Sequence, residues 1–275
     1  MMKNLVIVRG GGDIASGTIY KLYKSGFSVL ILETENPSAI RRNVAFSEAV
    51  YNGSHTIEGV TCTLAKDLHH AENLLKDGQL AMLIDPTGSV ISTLEPLAVV
   101  DGILAKKNLG THRDMAPITI ALGPGFEAGV DVDAVIETQR GHNLGRIIYD
   151  GFAIANTGIP GIIGGYGKER VIHSPGEGIL HNISQITDTV AAGQVIAEIV
   201  PVDGNAEDKI EVKATIDGIL RGLIRHGYPV TKGFKIADID PRLEQLENCF
   251  TISDKARCIA GGVLECILHL QTQEA

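Results

Sequence analysis

Four short runs of the chain are apolar almost throughout: NLVIVRG from residue 4, FSVLILE from 27, QLAMLID from 79 and APITIALGPG from 116. A strand with one wet face alternates apolar and polar residues, and these runs do not. Each must therefore be covered on both faces. Between them lie segments of helical spacing. DIASGTIYKLYKSG places Ile14, Ile19, Leu22 and Tyr23 on one side and stops at Gly26. TLAKDLHHAENLLKDG does the same with Leu64, Leu68, Ala71 and Leu75, and EPLAVVDGILAKKN (95–108) reads as a further helix. The alternation predicts an α/β fold with a Rossmann-like parallel sheet. Ligands of such sheets lie at the carboxyl ends of the strands. Here those ends are Gly10, Gly11 and Gly12; Glu33; Asp85, Pro86, Thr87 and Gly88; and Gly123, Pro124 and Gly125.

After about residue 150 the texture changes. NTGIPGIIGGYGKER (156–170) is too rich in glycine for a regular helix. Beyond it, residues 174–199 align without a gap on 214–239, with eight identities: Gly178/Gly218, Ile179/Ile219, Leu180/Leu220, Val190/Val230, Gly193/Gly233, Ile196/Ile236, Ala197/Ala237 and Ile199/Ile239. Each copy reads as a turn, a short strand, a V-x-x-G turn and a second strand, so the pair predicts a small pseudo-symmetric β module. Ser253 can cap a final helix whose face carries Ala256, Ile259, Val263, Cys266, Ile267 and Leu270. The expected division is a Rossmann-like domain over 1–168, the β module over 169–242, and a tail over 243–275 whose helix returns to the first domain.

The opening loop has the form Gly10-x-Gly12-x-x-Ala15. Its glycines allow a tight turn and a close backbone approach, and Asp13, Ile14 and Ala15 begin a helix whose free amides suit a phosphate. Glu33, at the next strand end, is placed to accept ribose hydroxyls. Asp13 would repel a phosphate and suits a helix cap instead. Arg41 and Arg42 either close over a bound anion or form an exposed face. In LGPGFEAGVDVDAVIETQRGHNLGR (122–146), Glu137, Arg140, His142 and Arg146 fall within ten residues beside Gly141 and Gly145. Arg140 suits a carboxylate or phosphate, and His142 suits proton transfer. No His, Cys and carboxylate grouping has metal-ligand spacing, so no metal is expected.

Composition narrows the partners. A net charge of −9 argues against nucleic acid and anionic membranes, and the absence of Trp argues against base stacking. Cys62, Cys249, Cys258 and Cys266 form no C-x-x-C pair. They fit a cytoplasmic protein with reduced thiols, and neither a signal peptide nor a membrane span is expected.

Two resemblances follow. Gly178-Ile179-Leu180 with Val190-Ala191-Ala192-Gly193, and Gly218-Ile219-Leu220 with Val230-Thr231-Lys232-Gly233, make the module similar to a biotinyl/lipoyl-type barrel-sandwich hybrid. Between the halves stands VPVDGNAEDKIE, with no M-K-M tripeptide, and Lys209 is its carrier-like candidate. Over nearly the whole chain, IVRGGGDIASG, IRRNVAFSEAVYNG, LIDPTG, ALGPGFEAG, DAVIETQRGHNLGR, NTGIPG and SDKARCIAGGVLE together resemble the YqeB family of the selenium-dependent molybdenum hydroxylase system. The N-terminal part is similar in kind to XdhC-type Rossmann regions.

The resemblance implies an accessory or maturation protein that binds a nucleotide or molybdopterin-type ligand at the strand ends and serves a molybdenum hydroxylase, its expected partner. A homo-oligomer is an option, and turnover is left open. The alternatives are an NAD(P)-dependent oxidoreductase, NAD being favoured by Glu33, and a carrier-like or scaffold protein without catalysis.

Overall fold

The computed structural model describes residues 4–156, 158, 161–202 and 208–273. Thr157, Ile159 and Pro160 of the NTGIPG motif, and 203–207 of the segment joining the repeats, lie outside the described residues. The chain divides into two units: Met1–Pro37, Val44–Thr157 and Ile252–Ala275 form one, Ser38–Asn43 and Gly158–Thr251 the other.

In the first unit the elements follow in order. Strand β1 (Leu5–Arg9), helix α1 (Asp13–Lys24) and β2 (Ser28–Glu33) lead to a short helix α2 (Ala49–Asn52), β3 (Ser54–Ile57) and β4 (Val60–Leu64). Helix α3 (Leu68–Lys76), β5 (Leu80–Ile84), α4 (Ile91–Leu94), β6 (Ala98–Asp101), β7 (Ile118–Leu122), β8 (Glu127–Ala128), β9 (Ala134–Ile136), β10 (Ile147–Ile148) and β11 (Gly151–Phe152) come next, and α5 (Asp254–Gln271) closes the unit. The main sheet has nine strands in the order β10-β9-β7-β6-β1-β2-β5-β4-β3. Its inner seven are parallel, and β3 and β10 pair antiparallel at the two edges.

Both faces are covered, as the unbroken apolar runs require. Val6, Val8, Val29, Ile31, Val100 and Ile120 pack with Ala15, Ile19 and Leu22 of α1 and Ile259, Val263 and Ile267 of α5. Leu5, Ile7, Leu30, Leu32 and Val99 face Ala71, Leu74 and Leu75 of α3. Gly17 of α1 lies so close to α5 that a Cβ there would stand 2.8 Å from Ala256.

The second unit is all antiparallel. Its strands are β12 (Val171–His173), β13 (Gly178–Asn182), β14 (Thr189–Val190), β15 (Val195–Val200), β16 (Ile210–Lys213), β17 (Gly218–Leu223), β18 (Pro229–Val230) and β19 (Lys235–Asp240). They form two sheets, β12-β19-β17-β14 and β16-β15-β13-β18. Strands β17, β18 and β19 begin 40 residues after β13, β14 and β15. Each copy lends strands to the other's sheet, since β14 pairs with β17 and β18 with β13. A buried ionic cluster sits on β19. Asp238 accepts from Arg170 and Arg221, and Asp240 from Arg242 Nε at 2.9 Å.

These findings correct the expected fold class. In place of a Rossmann-like parallel sheet with a barrel-sandwich module stands a mostly parallel, mixed nine-stranded sheet, with antiparallel hairpins at both edges, and a pair of four-stranded antiparallel sheets. EPLAVVDGILAKKN is not a helix: its centre is β6, buried on both faces beside β1.

Candidate functional site

The strand ends of the first unit are crowded by their own side chains. The amide of Gly11, placed by its sequence to meet a phosphate, donates instead to Glu33 Oε2 at 2.7 Å, and the other oxygen of Glu33 accepts from the amide of Thr34 at 2.8 Å. Burial pushes the Glu33 carboxyl above its usual range, against the lowering pull of those two amides. Gly10 has φ +90°, and a Cβ there would stand 3.0 Å from Ile103 Cα, so glycine is required by both conformation and space. Gly12 caps α1 without a side-chain bond; Asp13 and Ile14 form the first turn, and Ala15 is fully buried.

The same economy recurs along the sheet. Asp85 accepts from the amides of Gly88 at 3.1 Å and Val90 at 3.0 Å and from the Thr87 hydroxyl at 3.0 Å. Burial would raise the Asp85 carboxyl, but hydrogen bonds from Val90, Ser89 and Thr87 outweigh it and hold it below its usual range. The carbonyl of Pro86 accepts from Arg9 Nη2 at 3.0 Å. Arg9 is almost wholly buried and donates to Thr111 Oγ1, which donates in turn to Asp101 Oδ2 at 2.6 Å. Gly123 donates to the Ile136 carbonyl at 2.9 Å, Pro124 is half-buried, and a Cβ on Gly125 would strike the backbone of Lys106 and Lys107. Each of these loops is closed by a carboxylate or carbonyl of the chain itself.

Arg41 and Arg42 belong to the second unit. There Arg41 donates to the Asn248 carbonyl at 2.8 Å and Arg42 to the Leu223 carbonyl at 2.7 Å. Both tie residues 38–43 to β17 and the segment after β19.

The densest polar stretch of the sequence does form a cleft. Residues 137–146 are the loop of the β9–β10 hairpin. Its base is closed by Glu137 N–H to the Arg146 carbonyl and Gly145 N–H to the Glu137 carbonyl, both at 2.9 Å. The buried Glu137 carboxylate accepts from the amides of Gln139 and Ile154, so it serves the loop and not a ligand. From Arg140 onward the segment runs along α5. Arg140 makes a two-pronged ion pair with Asp254 in the first turn of α5, both bonds 2.7 Å. Cys258 Sγ donates to the Leu144 carbonyl at 3.2 Å. Gly145 fits because α5 presents Cys258 and Gly262: a Cβ on Gly262 would stand 2.3 Å from the Gly145 carbonyl oxygen.

That close approach leaves an open cavity of about 590 Å³. Leu144, Gly145 and Ile147 give its apolar part, and His142, Arg146, Tyr149, Glu265 and His269 its polar part. The Tyr149 ring lies 5.8 Å from that of His269. Burial, and then a hydrogen bond with Cys266, push the Tyr149 hydroxyl up to about 12, so it is protonated at neutral pH. Cys266, shut in the core, is pushed up to about 12 as well. Among the described residues, the side chains of His142, Arg146 and Glu265 make neither hydrogen bond nor ion pair.

Of the expected site residues, then, His142 lines this cleft and Arg140 anchors its outer rim. Tyr149, Glu265 and His269 escaped the sequence reading. Their signal was the Cys258, Gly262 and Cys266 stripe of α5, at intervals of four, which marks a face approached by backbone. No group of three or more His, Cys, Asp or Glu among the described residues is arranged to hold a metal. No helix among them is long and apolar enough to cross a membrane.

No protein-family model matches the chain. It is 51% identical over 270 residues to Uncharacterized protein YqeB of Escherichia coli (strain K12), which covers 98% of this chain and 48% of that protein. The chain thus spans about half the length of this relative, and the match supports the YqeB family name. Among solved structures it is similar to an aspartoacylase family protein of Mesorhizobium loti (14% identity, 86% and 85% of the two chains, TM-score 0.32). It is similar also to the product-bound ectoine utilization protein EutE (DoeB) of Ruegeria pomeroyi (12%, 86% and 84%, 0.29) and to a succinylglutamate desuccinylase of a Silicibacter species (11%, 86% and 84%, 0.28).

These findings correct the functional expectation. The similar structures are desuccinylase and aspartoacylase proteins rather than maturation factors of molybdenum enzymes, nicotinamide oxidoreductases, carriers or scaffolds. The Gly11 amide is meanwhile occupied by Glu33. At these TM-scores the likeness carries nothing about the chemistry of this chain.

Proposed function

We propose that the first unit binds a small carboxylate- or phosphate-bearing molecule in the cleft between the β9–β10 loop and α5. Arg146 supplies the counter-charge and His142 exchanges a proton with the ligand. One contrast carries the reading. Glu33, Asp85, Glu137 and Arg140 are all engaged within the fold, whereas Arg146 and His142 converge on one cavity with their side chains unengaged among the described residues. A guanidinium offers paired donors to a carboxylate or phosphate, and an imidazole both gives and takes protons near neutrality. About 590 Å³ lies within the range of roughly 300–1,000 Å³ common to small-molecule sites. A cytoplasmic setting goes with this reading, because Cys62, Cys249, Cys258 and Cys266 are all free thiols.

The test is titration calorimetry with succinate and with inorganic phosphate. At least one should bind, and Arg146→Ala should weaken it tenfold or more. His142→Asn should weaken binding by less than Arg146→Ala does. Failure of both probes to bind, or equal affinity in Arg146→Ala, would overturn the proposal.

A further inference from the structure

Resting on that same cleft, we infer that its ligand is a zwitterion, with a carboxylate on Arg146 and an ammonium group on Glu265. Both residues line one cavity, carry opposite charges and do not pair with each other or with any described residue. Glu265 projects from α5, where the positions three and four residues away are Gly261, Gly262, Leu268 and His269. None is a lysine or arginine, so the helix offers no ordinary ion-pair partner at these spacings. A plain anion drawn in by Arg146 meets the repulsion of Glu265. A plain cation meets the reverse. A molecule bearing both charges a few bonds apart uses both groups, and His142 and His269 remain beside it as donors. The apolar part of the cavity, Leu144 and Ile147, suits a short aliphatic spacer.

Succinate and L-aspartate are a matched pair, differing by one ammonium group. Calorimetry at low ionic strength should show L-aspartate binding about tenfold more tightly than succinate. Glu265→Gln should abolish that preference from both sides, weakening L-aspartate and tightening succinate. Helical content by circular dichroism checks that α5 is intact in the variant. If succinate binds as tightly as L-aspartate, or if Glu265→Gln keeps the preference, the zwitterion inference falls and the anion site stands. If neither compound binds, the cleft itself is refuted as a site for carboxylates, and the inference goes with it.

Discussion

Two neighbouring glycines of α5 give opposite expectations for one substitution. Replacing a glycine by alanine inside a helix gains about 1 kcal/mol from propensity alone. At Gly261 the new Cβ meets nothing nearer than Lys21 Nζ at 3.7 Å, the far end of a flexible side chain, so that gain is realised. At Gly262 the Cβ would stand 2.3 Å from the Gly145 carbonyl oxygen and 3.2 Å from Ile136 Cγ2. A backbone oxygen cannot turn aside as a side chain can. Overpacking of this kind costs about 1–3 kcal/mol, here at the upper end, which leaves Gly262→Ala about 2 kcal/mol less stable than the native chain. For a body of this size each kcal/mol shifts Tm by roughly 2–4 °C. Scanning calorimetry should place the first unit's transition about 4–8 °C lower for Gly262→Ala and about 2–4 °C higher for Gly261→Ala. The same displacement moves Leu144–Ile147 off α5, so succinate binding should weaken in the first variant only. Equal Tm for the two variants would refute the packing of residues 140–149 on α5 and, with it, the floor of the cleft.

Other expectations follow from the fold. The Glu33 carboxyl is raised in the folded chain, so its contribution to stability is complete below the ordinary glutamate value of about 4.3 and is lost as pH rises through the folded value. Glu33→Gln should remove that decline from urea midpoints measured between pH 4 and 7, and an unaltered slope would refute the assignment. Gly178 and Gly218 have φ +146° and +155°, and a Cβ at either would strike the carbonyl oxygen of Val200 or Asp240. Alanine at either position should cost the second unit about 2–4 kcal/mol, and by similar amounts, as judged by hydrogen exchange of β13 and β17. Arg170→Met leaves Asp238 held by Arg221 alone in a buried site and should cost about 3 kcal/mol in urea unfolding; a loss under about 1 kcal/mol would show the cluster to be solvated.

Much of this architecture was legible where a local rule applies. Wholly apolar runs located β1, β2, β5 and β7, helical spacing located α1, α3 and α5, and the offset of 40 residues located the paired strands of the second unit. Strand β6 was not legible, because Leu97, Val100, Ile103 and Leu104 fall at helical intervals although Val99 and Val100 are both buried in a sheet. Of the edge strands, β3 is short and largely polar and β10 is only two isoleucines long, so neither gives a period to read. The glycine loop was read as a phosphate site because its donors are local. The acceptor that satisfies Gly11 stands 22 residues away, and only tertiary structure brings it there. Residues 38–43 carry no boundary signal, yet the Ile40 carbonyl accepts from Leu223 N–H at 3.0 Å. The cleft was half legible: His142 and Arg146 share a motif, while Glu265 and His269 reach it from the far end of the sequence.

The packing of α1 on α5 has a consequence for synthesis on the ribosome. About 230 residues separate Lys24 from Asp254, and at about 5–20 residues per second α1 emerges roughly 10–50 s before the helix that covers it. During that interval Gly17 and Ile19 of the nascent chain lack their partner, while residues 158–251 emerge as nearly continuous material for the other unit. Within the first unit α1 is thus made early and is among the last elements to find its native neighbours.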